Sequence, residues 1–488
     1  MIRLLALAEG FLKEKKSWVL VMGSILFLNS FLYLITEIPI FQHLEKIQSS
    51  SGITGFGPIC ASKFFYFYYY TGNFPLATLN DPLSYSKKSA FKEIESKGDR
   101  LIMEIGNWAR CGENARIFAY YPNAFLKNSP KNPSIKLFNA LVFTLSLMIL
   151  FLGFYHIGYS LLGLLLALLI NVTPFFVYEI YCRENIFGLM GSAFFLILGL
   201  NVSALFTVQK NFLKVLLKVV FSAAAIGFLS EIRNEISCVI VSLIFIYLLT
   251  DKLKIFSKLF LILVIISSFV CVKSGILHYF DRNFEKTKDL VEKHKGHVYA
   301  GPRMDGHRFW HPVFCGLGDF DNKYGYAWDD RTAYKYAIPI LKSKYNIVVN
   351  YEGKYLLSEY HDSAKLYDKR FDEIQEYQDI VRDKVLLNIR ADPIWYFTII
   401  LKRILRTFTK TLPFPLLGGL FFPLMYYLFR KGNWNHIKMI LASLPICATP
   451  ILIYSGQSTP YNSVFAYLLL AISMLEFYYH QVSGNEGR

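Results

Sequence analysis

Residues 257–277 have the sequence SKLFLILVIISSFVCVKSGIL, an apolar run whose charged residues are Lys258 and Lys273. A helix of about 20 apolar residues crosses the roughly 30 Å of hydrocarbon in a bilayer, so this run predicts a transmembrane helix. From residue 279 to about residue 395 the sequence is polar instead. The fold of the chain follows from this alternation of apolar spans with polar segments of very unequal length.

The composition places the chain among membrane proteins. Of its 488 residues, 54% are hydrophobic and 17% are aromatic, and the mean hydropathy is +0.34. The formal net charge of +16 would suggest nucleic-acid binding in a soluble domain. Here the lysines and arginines lie in short loops and at the ends of apolar runs, where they orient the spans and contact anionic lipids. The sequence therefore predicts a membrane partner and no nucleic-acid partner.

Further apolar runs predict an all-α multi-pass membrane protein with about ten transmembrane helices. The first run follows Lys13, Lys15 and Lys16, and no small-residue cleavage site comes after it, so it predicts an uncleaved span rather than a signal peptide. The predicted spans lie at residues 17–36, 136–155, 158–178, 186–207, 213–230, 236–250, 257–277, 412–429, 437–455 and 461–480.

The charges of the short loops predict the orientation of these spans. If the N-terminus is cytoplasmic, the inner loops carry net positive charge and the outer loops are neutral or net negative, as the positive-inside rule requires. The inner loops are residues 207–214, 251–258 and 429–438, and the outer loops are residues 177–185, 230–235 and 455–463. Both long polar segments, residues 38–135 and 279–395, then lie outside the cytoplasm.

This topology predicts three parts and a cellular location. The parts are an N-terminal transmembrane module (1–278) carrying the outer loop 38–135, an extracytoplasmic loop domain with an interfacial basic helix (279–411), and C-terminal transmembrane helices (412–488). Neither long outer segment contains an Asn-x-Ser/Thr glycosylation acceptor, which favours a bacterial inner membrane with periplasmic or extracellular loops.

The two long outer segments have the composition of folded, mainly helical structure. The first contains an aromatic run at 64–70 and an amphipathic stretch at 85–94, and the second predicts helices near 331–342 and 363–390. Channels and carriers rarely need such segments. An enzyme that works at the membrane surface does, because it must enclose a partly dry site beside the bilayer for a lipid-borne substrate.

The end of the second segment, residues 384–410, predicts a helix in the outer membrane interface. Its apolar part is short and is interrupted by Lys402, Arg403, Arg406 and Lys410, so it is a poor span. Lys402, Arg403 and Arg406 are candidate ligands for a lipid phosphate, which basic side chains hold by charge-assisted hydrogen bonds.

Charged residues at the outer ends of spans are candidate site residues, because carboxylates near hydrocarbon are costly unless they are paired or functional. One group follows span three and the other follows span five, and structural ion pairs are the alternative interpretation for both groups. The first group is Glu179, Arg183 and Glu184, and the second includes Arg233 and Glu235.

The sequence WHPVFCGLGDFDNKYGYAWDD (310–330) is rich in the residue types that bind carbohydrate. Aromatic faces contact the CH groups of sugars and carboxylates bind their hydroxyls. The candidate acceptor-binding residues are Trp310, His311, Asp319, Trp328 and Asp329. The alternative is a turn region in which Gly316, Gly318 and Gly325 permit tight bends and aspartates cap helices.

The seven cysteines predict no metal site, since they form neither a CxxC pair nor a Cys/His cluster at the usual ligand spacing. Cys60 and Cys111 share the first outer segment. They form a disulfide if that face is oxidising, or they are two unrelated thiols.

Three strings resemble the polyprenol-dependent glycosyltransferases of the GT-C superfamily, in particular the dolichyl-phosphate-mannose and aminoarabinose transferase-like group. They are YEIYCRENIFGLMGSAFFLILGL (178–200), FLSEIRNEISCVIVSLIFIYLL (228–249) and STPYNSVFAYLLLAISM (458–474). In the last string, Pro460 stands where the family usually has an arginine before the tyrosine. The resemblance covers the span layout and about a quarter of the chain.

This resemblance implies a catalytic carboxylate in the first outer loop, where the family usually has an Asp or an Asp-Glu pair soon after span one. The chain has no such pair there. Glu37 matches by placement, whereas Asp81, in NDPLSYSKKSA (80–90), matches the pattern of an Asp followed by Tyr and Ala on a membrane-surface helix. Further alternatives in the same loop are Asp99, Glu104 and Glu113.

The function expected from the resemblance is an inverting sugar transfer on the extracytoplasmic face. The donor partner is a polyprenyl-phosphate-linked sugar, and the acceptor is a lipid-linked or envelope glycan such as lipid A. A carboxylate deprotonates the acceptor hydroxyl as it attacks the anomeric carbon, and cations stabilise the departing phosphate. A divalent cation is optional in the superfamily, and the sequence does not decide whether this chain uses one; no other cofactor is expected. An O-antigen polymerase or ligase-like enzyme and a lipid-linked glycan transporter are the alternatives.

Overall fold

A computed structural model describes most of the predicted spans and most of the second outer segment. The described residues are 11–12, 17–35, 65, 68–69, 114–126, 134–171, 180–181, 188–208, 211–293, 309–352, 355–360, 365–368, 375–409, 421–432 and 434–453. The described part of the chain is predominantly helical, as the sequence predicts.

The N-terminal module consists of nine described helices, which are labelled in chain order. They are α1 (Ser17–Ile35), α2 (Tyr121–Leu126), α3 (Lys136–His156), α4 (Ser160–Asn171), α5 (Gly188–Asn201), α6 (Ser203–Phe206), α7 (Phe212–Ile232), α8 (Cys238–Leu249) and α9 (Ile255–Lys293). Short 3₁₀ turns, Asn114–Tyr120 and Asn234–Ser237, precede α2 and α8.

Among the described residues, four helices are long and apolar enough to cross a bilayer: α1, α3, α7 and the Ile255–Asn283 part of α9. Each coincides with a predicted span. The predicted spans 158–178, 186–207 and 236–250 correspond to shorter apolar helices, Ser160–Asn171, Leu189–Asn201 and Asn234–Leu249. The last predicted span, 461–480, lies outside the described residues.

The exposed surfaces of the long helices are apolar, which is what a bilayer requires and water does not favour. On α1, Phe27 and Leu34 are largely exposed, and on α9 the exposed residues include Phe256, Leu259 and Leu263. These faces indicate that the helices lie in a membrane.

The helices of the module pack closely where glycines face each other. A Cβ atom added to Gly153 on α3 would lie 2.1 Å from the carbonyl oxygen of Gly199 on α5, so the two backbones touch directly. Small residues permit this approach between membrane helices, whose association depends on van der Waals packing rather than on a hydrophobic effect.

A polar network joins three helices inside the module. The Asn201 side chain donates to Ser222 Oγ (2.8 Å) and accepts from the Tyr247 hydroxyl (2.7 Å). The three residues lie on α5, α7 and α8 and are all buried. Because each pairs with another, their polar groups remain satisfied away from water.

Two contacts, one at each end of the module, join residues that are far apart in sequence. At one end, Lys438 pairs with Asp251 at 3.0 Å. At the other, the hydroxyls of Tyr68 and Tyr279 lie 2.7 Å apart. Phe65, from the same aromatic run as Tyr68, is fully buried and stacks on Tyr120, which lies just before α2.

The residues that follow α9 form a smaller unit, here called the cap, which comprises the described residues between 309 and 409. Its helices are α10 (Trp310–Gly316), α11 (Asp330–Tyr345), α12 (Gln375–Ala391) and α13 (Pro393–Thr409). The structure confirms the helix predicted at 331–342. The helix predicted at 363–390 begins only at Gln375.

The cap also contains a small antiparallel sheet that the sequence analysis did not predict. In order, its three described strands are β1 (Val348–Glu352), β2 (Tyr355–Tyr360) and β3 (Lys365–Asp368). β3 therefore occupies part of the region expected to be helical. The described part of the cap is therefore a mixed helix and sheet structure rather than an all-helical one.

The cap has a hydrophobic core of its own. Phe314, Leu341, Tyr377 and Val381 are fully buried in it, and Ile453 packs against its edge. Ile453 ends the last described part of the chain, which comprises α14 (Phe421–Arg430), α15 (Trp434–Ser443), a 3₁₀ turn (Leu444–Cys447) and a π-helical turn (Thr449–Ile453). The cap thus rests on the end of a predicted span.

Candidate functional site

The loop between α10 and α11 is held in one shape by its own side chains. The Asn322 amide donates to the carbonyl oxygens of Phe320 (3.1 Å) and Tyr326 (2.9 Å), and its oxygen accepts from two backbone N–H groups of the loop. Gly325 has a positive φ of 74°, which a residue with a side chain rarely adopts. The loop therefore has the bends that the turn interpretation of 310–330 predicted.

Two of the predicted acceptor residues lie at the end of this loop. Asp329 is the N-cap of α11, where its carboxylate accepts from the Arg331 N–H at 3.2 Å. The neighbouring Trp328 is 43% exposed, so its ring can contact a ligand. Trp310, at the start of α10, is partly buried, and its backbone N–H donates to Gln378 Oε1 at 3.2 Å.

Asp319, another predicted acceptor residue, instead forms a buried ion pair with Arg403. The Arg403 Nε donates to Asp319 Oδ2 at 3.0 Å, and the two side chains are 0% and 1% exposed. Arg406 lies near the same carboxylate, with Nη1 at 3.9 Å from Oδ1. The sequence analysis assigned Asp319 and Arg403 to different sites, and the structure joins them.

Arg403 also bonds to the last described part of the chain. Its Nη1 donates to the carbonyl oxygens of Ile451 (3.3 Å) and Leu452 (3.1 Å) in the π-helical turn. A guanidinium beside these carbonyl oxygens gives them hydrogen-bond donors away from water. Arg403 is therefore a structural link between α13, the loop and the π-helical turn, whereas its role as a ligand of a lipid phosphate stays a prediction from the sequence.

The remaining two predicted phosphate ligands stand beside an aromatic ring. The Arg406 guanidinium lies 4.2 Å from the centre of the Phe320 ring, and the Lys402 Nζ lies 5.5 Å from it. Lys402 is exposed and Arg406 is partly exposed. Both cations are thus accessible at the surface, in contrast to Arg403.

The same helix, α13, presents an apolar stripe to its surroundings. Ile394, Phe397, Leu401 and Leu405 are spaced three or four residues apart, which places them on one face, and each is 45–79% exposed. Asp392 begins the helix by accepting from the Trp395 N–H, so Pro393 separates α13 from α12. The sequence predicted one continuous basic helix, and the structure divides it here.

Asp392 also pairs with a lysine from the loop. The Lys323 Nζ lies 2.8 Å from Asp392 Oδ2. The hydrogen bond from Lys323, with the one from the Trp395 N–H, lowers the pKa of the Asp392 carboxyl. This pair ties the loop to the start of α13.

His311 lies at the centre of a third cluster in the cap. Its Nδ1 is 2.6 Å from the Tyr377 hydroxyl, and its Nε2 is 3.2 Å from Asp330 Oδ1. Cys315, one turn later on α10, places its Sγ 3.8 Å from the same Nε2 and 3.9 Å from the same carboxylate oxygen. His311 and Cys315 are buried, whereas the Asp330 side chain is 63% exposed.

Ion pairs occur around the end of α7 and in the loop that follows it, which the sequence predicts to be an outer loop. Arg233 and Glu235 form a bidentate pair with distances of 2.7 and 2.6 Å, as the structural interpretation of this loop predicted. The buried Glu231 pairs with Lys273 of α9 at 3.2 Å. The pair between Glu231 and Lys273 was not predicted.

An open apolar cleft of about 470 Å³ lies along α9. It is lined by Phe118, Val272, Gly275, Ile276 and Tyr279. Tyr279 joins this cleft to the aromatic run of the first outer segment through its hydroxyl contact with Tyr68.

Several predicted site residues lie outside the described residues. These are the two candidate bases, Glu37 and Asp81, and the charged residues of the loop after span three, Glu179, Arg183 and Glu184. Their assignments remain predictions from the sequence.

The comparisons with protein-family models, with curated proteins and with solved structures find no match to this chain. The function must therefore be argued from the residues and their geometry.

The cluster around His311 was not predicted from the sequence, because it contains no cysteine pair and Asp330 is distant in sequence from its partners. A usable signal was present, since His311 and Cys315 are four residues apart in a helix and so lie on one face. Asp330 is 15 residues further along, and only the loop brings it to them.

Proposed function

We propose that the chain is a membrane glycosyltransferase that moves a sugar from a polyprenyl-phosphate donor to an envelope glycan or lipid acceptor on the extracytoplasmic face. The observation that supports this best is the construction of α13. One face of this helix is apolar and exposed, and its edge carries Lys402 and Arg406 beside the loop 317–328. A lipid-linked phosphate has the matching chemistry, with an apolar chain and an anionic head.

The apolar stripe supports the interfacial position of α13. Its four side chains would be unfavourable in water, at about 25 cal/mol for each Å² of apolar surface exposed, and favourable among acyl chains. In this position Lys402 and Arg406 extend to the headgroup level, as long cationic side chains do.

Contacts between distant loops support the proposed topology. The pair between Asp251 and Lys438 joins two loops that are both predicted to be cytoplasmic. Tyr68 and Tyr279, which touch at the other end, both belong to predicted outer regions. Arg403 of the cap bonds to Leu452, near the predicted outer end of its span. Each contact pairs residues expected on the same side of a bacterial inner membrane.

The proposed roles of the basic and aromatic residues follow from how exposed their side chains are. Lys402 and Arg406 bind and stabilise the phosphate that departs, whereas Arg403 positions α13 through Asp319. Trp328 lies at the end of the loop 317–328, and its exposed ring suits contact with the acceptor sugar. Glu37 or Asp81 acts as the base that deprotonates the acceptor hydroxyl, in line with the resemblance to GT-C enzymes.

Transfer assays with purified protein and a panel of polyprenyl-phosphate sugars test this function. Glu37→Gln and Asp81→Asn are compared with the wild type, and the variant that lacks the base is expected to lose about 10²- to 10⁴-fold in kcat. If both variants keep full turnover, the proposed base is wrong, and an O-antigen polymerase or ligase-like mechanism is favoured. Movement of a lipid-linked glycan across sealed vesicles without sugar transfer would favour a transporter.

The phosphate site has its own matched control. Lys402→Ala and Arg406→Ala are expected to lower kcat/KM by about 10- to 10³-fold, because each removes a charge that stabilises the departing phosphate. Arg430, at the end of α14, also stacks on a ring, that of Tyr426 at 5.4 Å, but its loop is predicted to be cytoplasmic. Arg430→Ala should leave transfer unchanged, and an equal loss in all three variants would refute the site.

A further inference from the structure

We propose that His311, Cys315 and Asp330 form a binding site for one zinc-type divalent cation in the cap. Within the part of the chain that the structure describes, these residues are the group whose ligand atoms are close enough to hold a metal ion. The proposal is independent of the sugar transfer proposed above.

The distances between the three ligand atoms fit a tetrahedral site. Zn²⁺ binds nitrogen and oxygen at about 2.0 Å and sulfur at about 2.3 Å, so tetrahedral angles separate N from O by about 3.3 Å and S from either by about 3.5 Å. The observed separations are 3.2 Å for Nε2 to Oδ1, 3.8 Å for Sγ to Nε2 and 3.9 Å for Sγ to Oδ1. Closing the site requires the sulfur to move by only a few tenths of an ångström.

The arrangement is that of a coordination site rather than of a catalytic relay. In a Cys-His-Asp relay, the two nitrogens of the histidine face different partners, the nucleophile and the carboxylate. Here Cys315 and Asp330 both face Nε2, so three donor atoms converge on one point. Thiolate, imidazole and carboxylate are all zinc ligands.

The other imidazole nitrogen is held as histidine ligands usually are. When Nε2 binds a metal, Nδ1 carries the proton and donates it to the Tyr377 hydroxyl oxygen, 2.6 Å away. Tyr377 is fully buried and Tyr334 stacks on the imidazole, so the ring cannot turn easily. The ligand is thus oriented before the metal arrives.

The fourth coordination position faces outward. Asp330 is 63% exposed, whereas the other two ligands are buried on the core side. Three protein ligands with an open position for water are typical of reactive zinc sites, and structural sites usually have four. The site therefore takes a metal ion that can still exchange a water ligand.

The full-length protein in detergent, titrated with Co²⁺ as a spectroscopic substitute for Zn²⁺, tests the proposal. One Co²⁺ per chain is expected, with the charge-transfer absorption of a cobalt–thiolate bond. Cys315→Ser should abolish that absorption. Cys271, an exposed free thiol on α9, provides the matched control, and Cys271→Ser should leave the absorption unchanged.

Two milder variants keep the test valid if the buried cysteine is needed for folding. Asp330→Asn, at an exposed position, should weaken Zn²⁺ binding at least ten-fold, whereas Asp321→Asn in the nearby loop should not. Tyr377→Phe should weaken it about 10- to 100-fold through the lost hydrogen bond. If no Co²⁺–thiolate absorption appears, or if Asp330→Asn and Asp321→Asn bind equally well, His311 is only a hydrogen-bonded core residue and the proposal fails.

Discussion

Replacement of Arg403 by methionine tests whether the buried ion pair holds α13 and the rest of the cap on the π-helical turn (Thr449–Ile453). Arg403 is 0% exposed and makes one charged bond to Asp319 and two to carbonyls of the π-helical turn. Its removal leaves a carboxylate that is 1% exposed, with Arg406 at 3.9 Å as the nearest cation. Loss of one partner of such a pair costs about 3–5 kcal/mol.

Hydrogen–deuterium exchange measures this cost locally. Because about 1.4 kcal/mol corresponds to a factor of ten, amides of α10, α12 and α13 should exchange roughly 10²- to 4 × 10³-fold faster in Arg403→Met. Amides of α3 and α5, which lie in the membrane module, should exchange at the wild-type rate. The double variant Asp319→Leu/Arg403→Met should recover much of the protection, since it leaves no unpaired charge.

A surface ion pair provides the control for this experiment. Arg382 on α12 pairs with Asp379 (2.8 Å) and Asp383 (2.9 Å) but is 37% exposed. Exposed pairs contribute about 0–1 kcal/mol, so Arg382→Met should change the exchange rates less than about five-fold. Equal effects of Arg382→Met and Arg403→Met would refute the reasoning, because the buried pair would then stabilise nothing beyond an ordinary surface pair.

Three further predictions concern the membrane module. Gly153→Ala would place a Cβ against the Gly199 carbonyl, so it should lower the unfolding free energy in detergent by about 1–3 kcal/mol or more. Gly23→Ala is the control and should not lower it, because the added Cβ would have no described neighbour outside its own helix within 4 Å. Equal stability of the two variants would contradict the close crossing of α3 and α5. Tyr247→Phe removes the bond to Asn201 and should cost about 0.6 kcal/mol, at most about 1.7, in the same assay; a larger loss would mean that the hydroxyl does more than donate this bond. Gly275→Leu fills the cleft along α9 and tests whether the prenyl chain of the donor binds there. KM for the polyprenyl donor should then rise in Gly275→Leu and stay unchanged in the control Gly23→Leu. An unaltered KM in Gly275→Leu would exclude the cleft as the binding site.

The long spans were predictable because the bilayer imposes a length. The apolar runs of α1, α3, α7 and α9 are each about 20 residues long, which is the length that crosses the hydrocarbon of a bilayer. The end of α9 was not predictable in this way, since the helix continues to Lys293 through polar sequence and across the predicted domain boundary at 278. Hydropathy indicates where the apolar part of a span ends. The helix itself can continue into polar sequence for as long as its backbone hydrogen bonds continue.

The sheet in the cap shows what the sequence analysis overlooked. β1 and β2 are separated in sequence by Gly353 and Lys354, and a two-residue connection starting with glycine is typical of a β-hairpin. The strands have four to six residues and carry charges, so alternation of apolar and polar residues was too short to predict them. The two-residue connection between β1 and β2 was therefore a better indication of a hairpin than the pattern of the strands.

The pairing of charges could not be predicted from the sequence. Asp319 and Arg403 are 84 residues apart, and each residue type has many roles when it is exposed. Their pairing depends on how α13 packs against the loop and on the position of the π-helical turn. The same limit applies to Asp330, which joins His311 and Cys315 only through the fold of the loop.

The apolar stripe of α13 has a practical consequence for work on the cap. A fragment comprising residues 309–409 would expose Ile394, Phe397 and Leu405 to water and would separate Arg403 from its carbonyl partners in the π-helical turn. Contiguous exposed apolar surface of this kind promotes self-association. Such a fragment should therefore aggregate when it is expressed alone, and crystallisation or ligand screening needs the intact chain in a lipid-like environment.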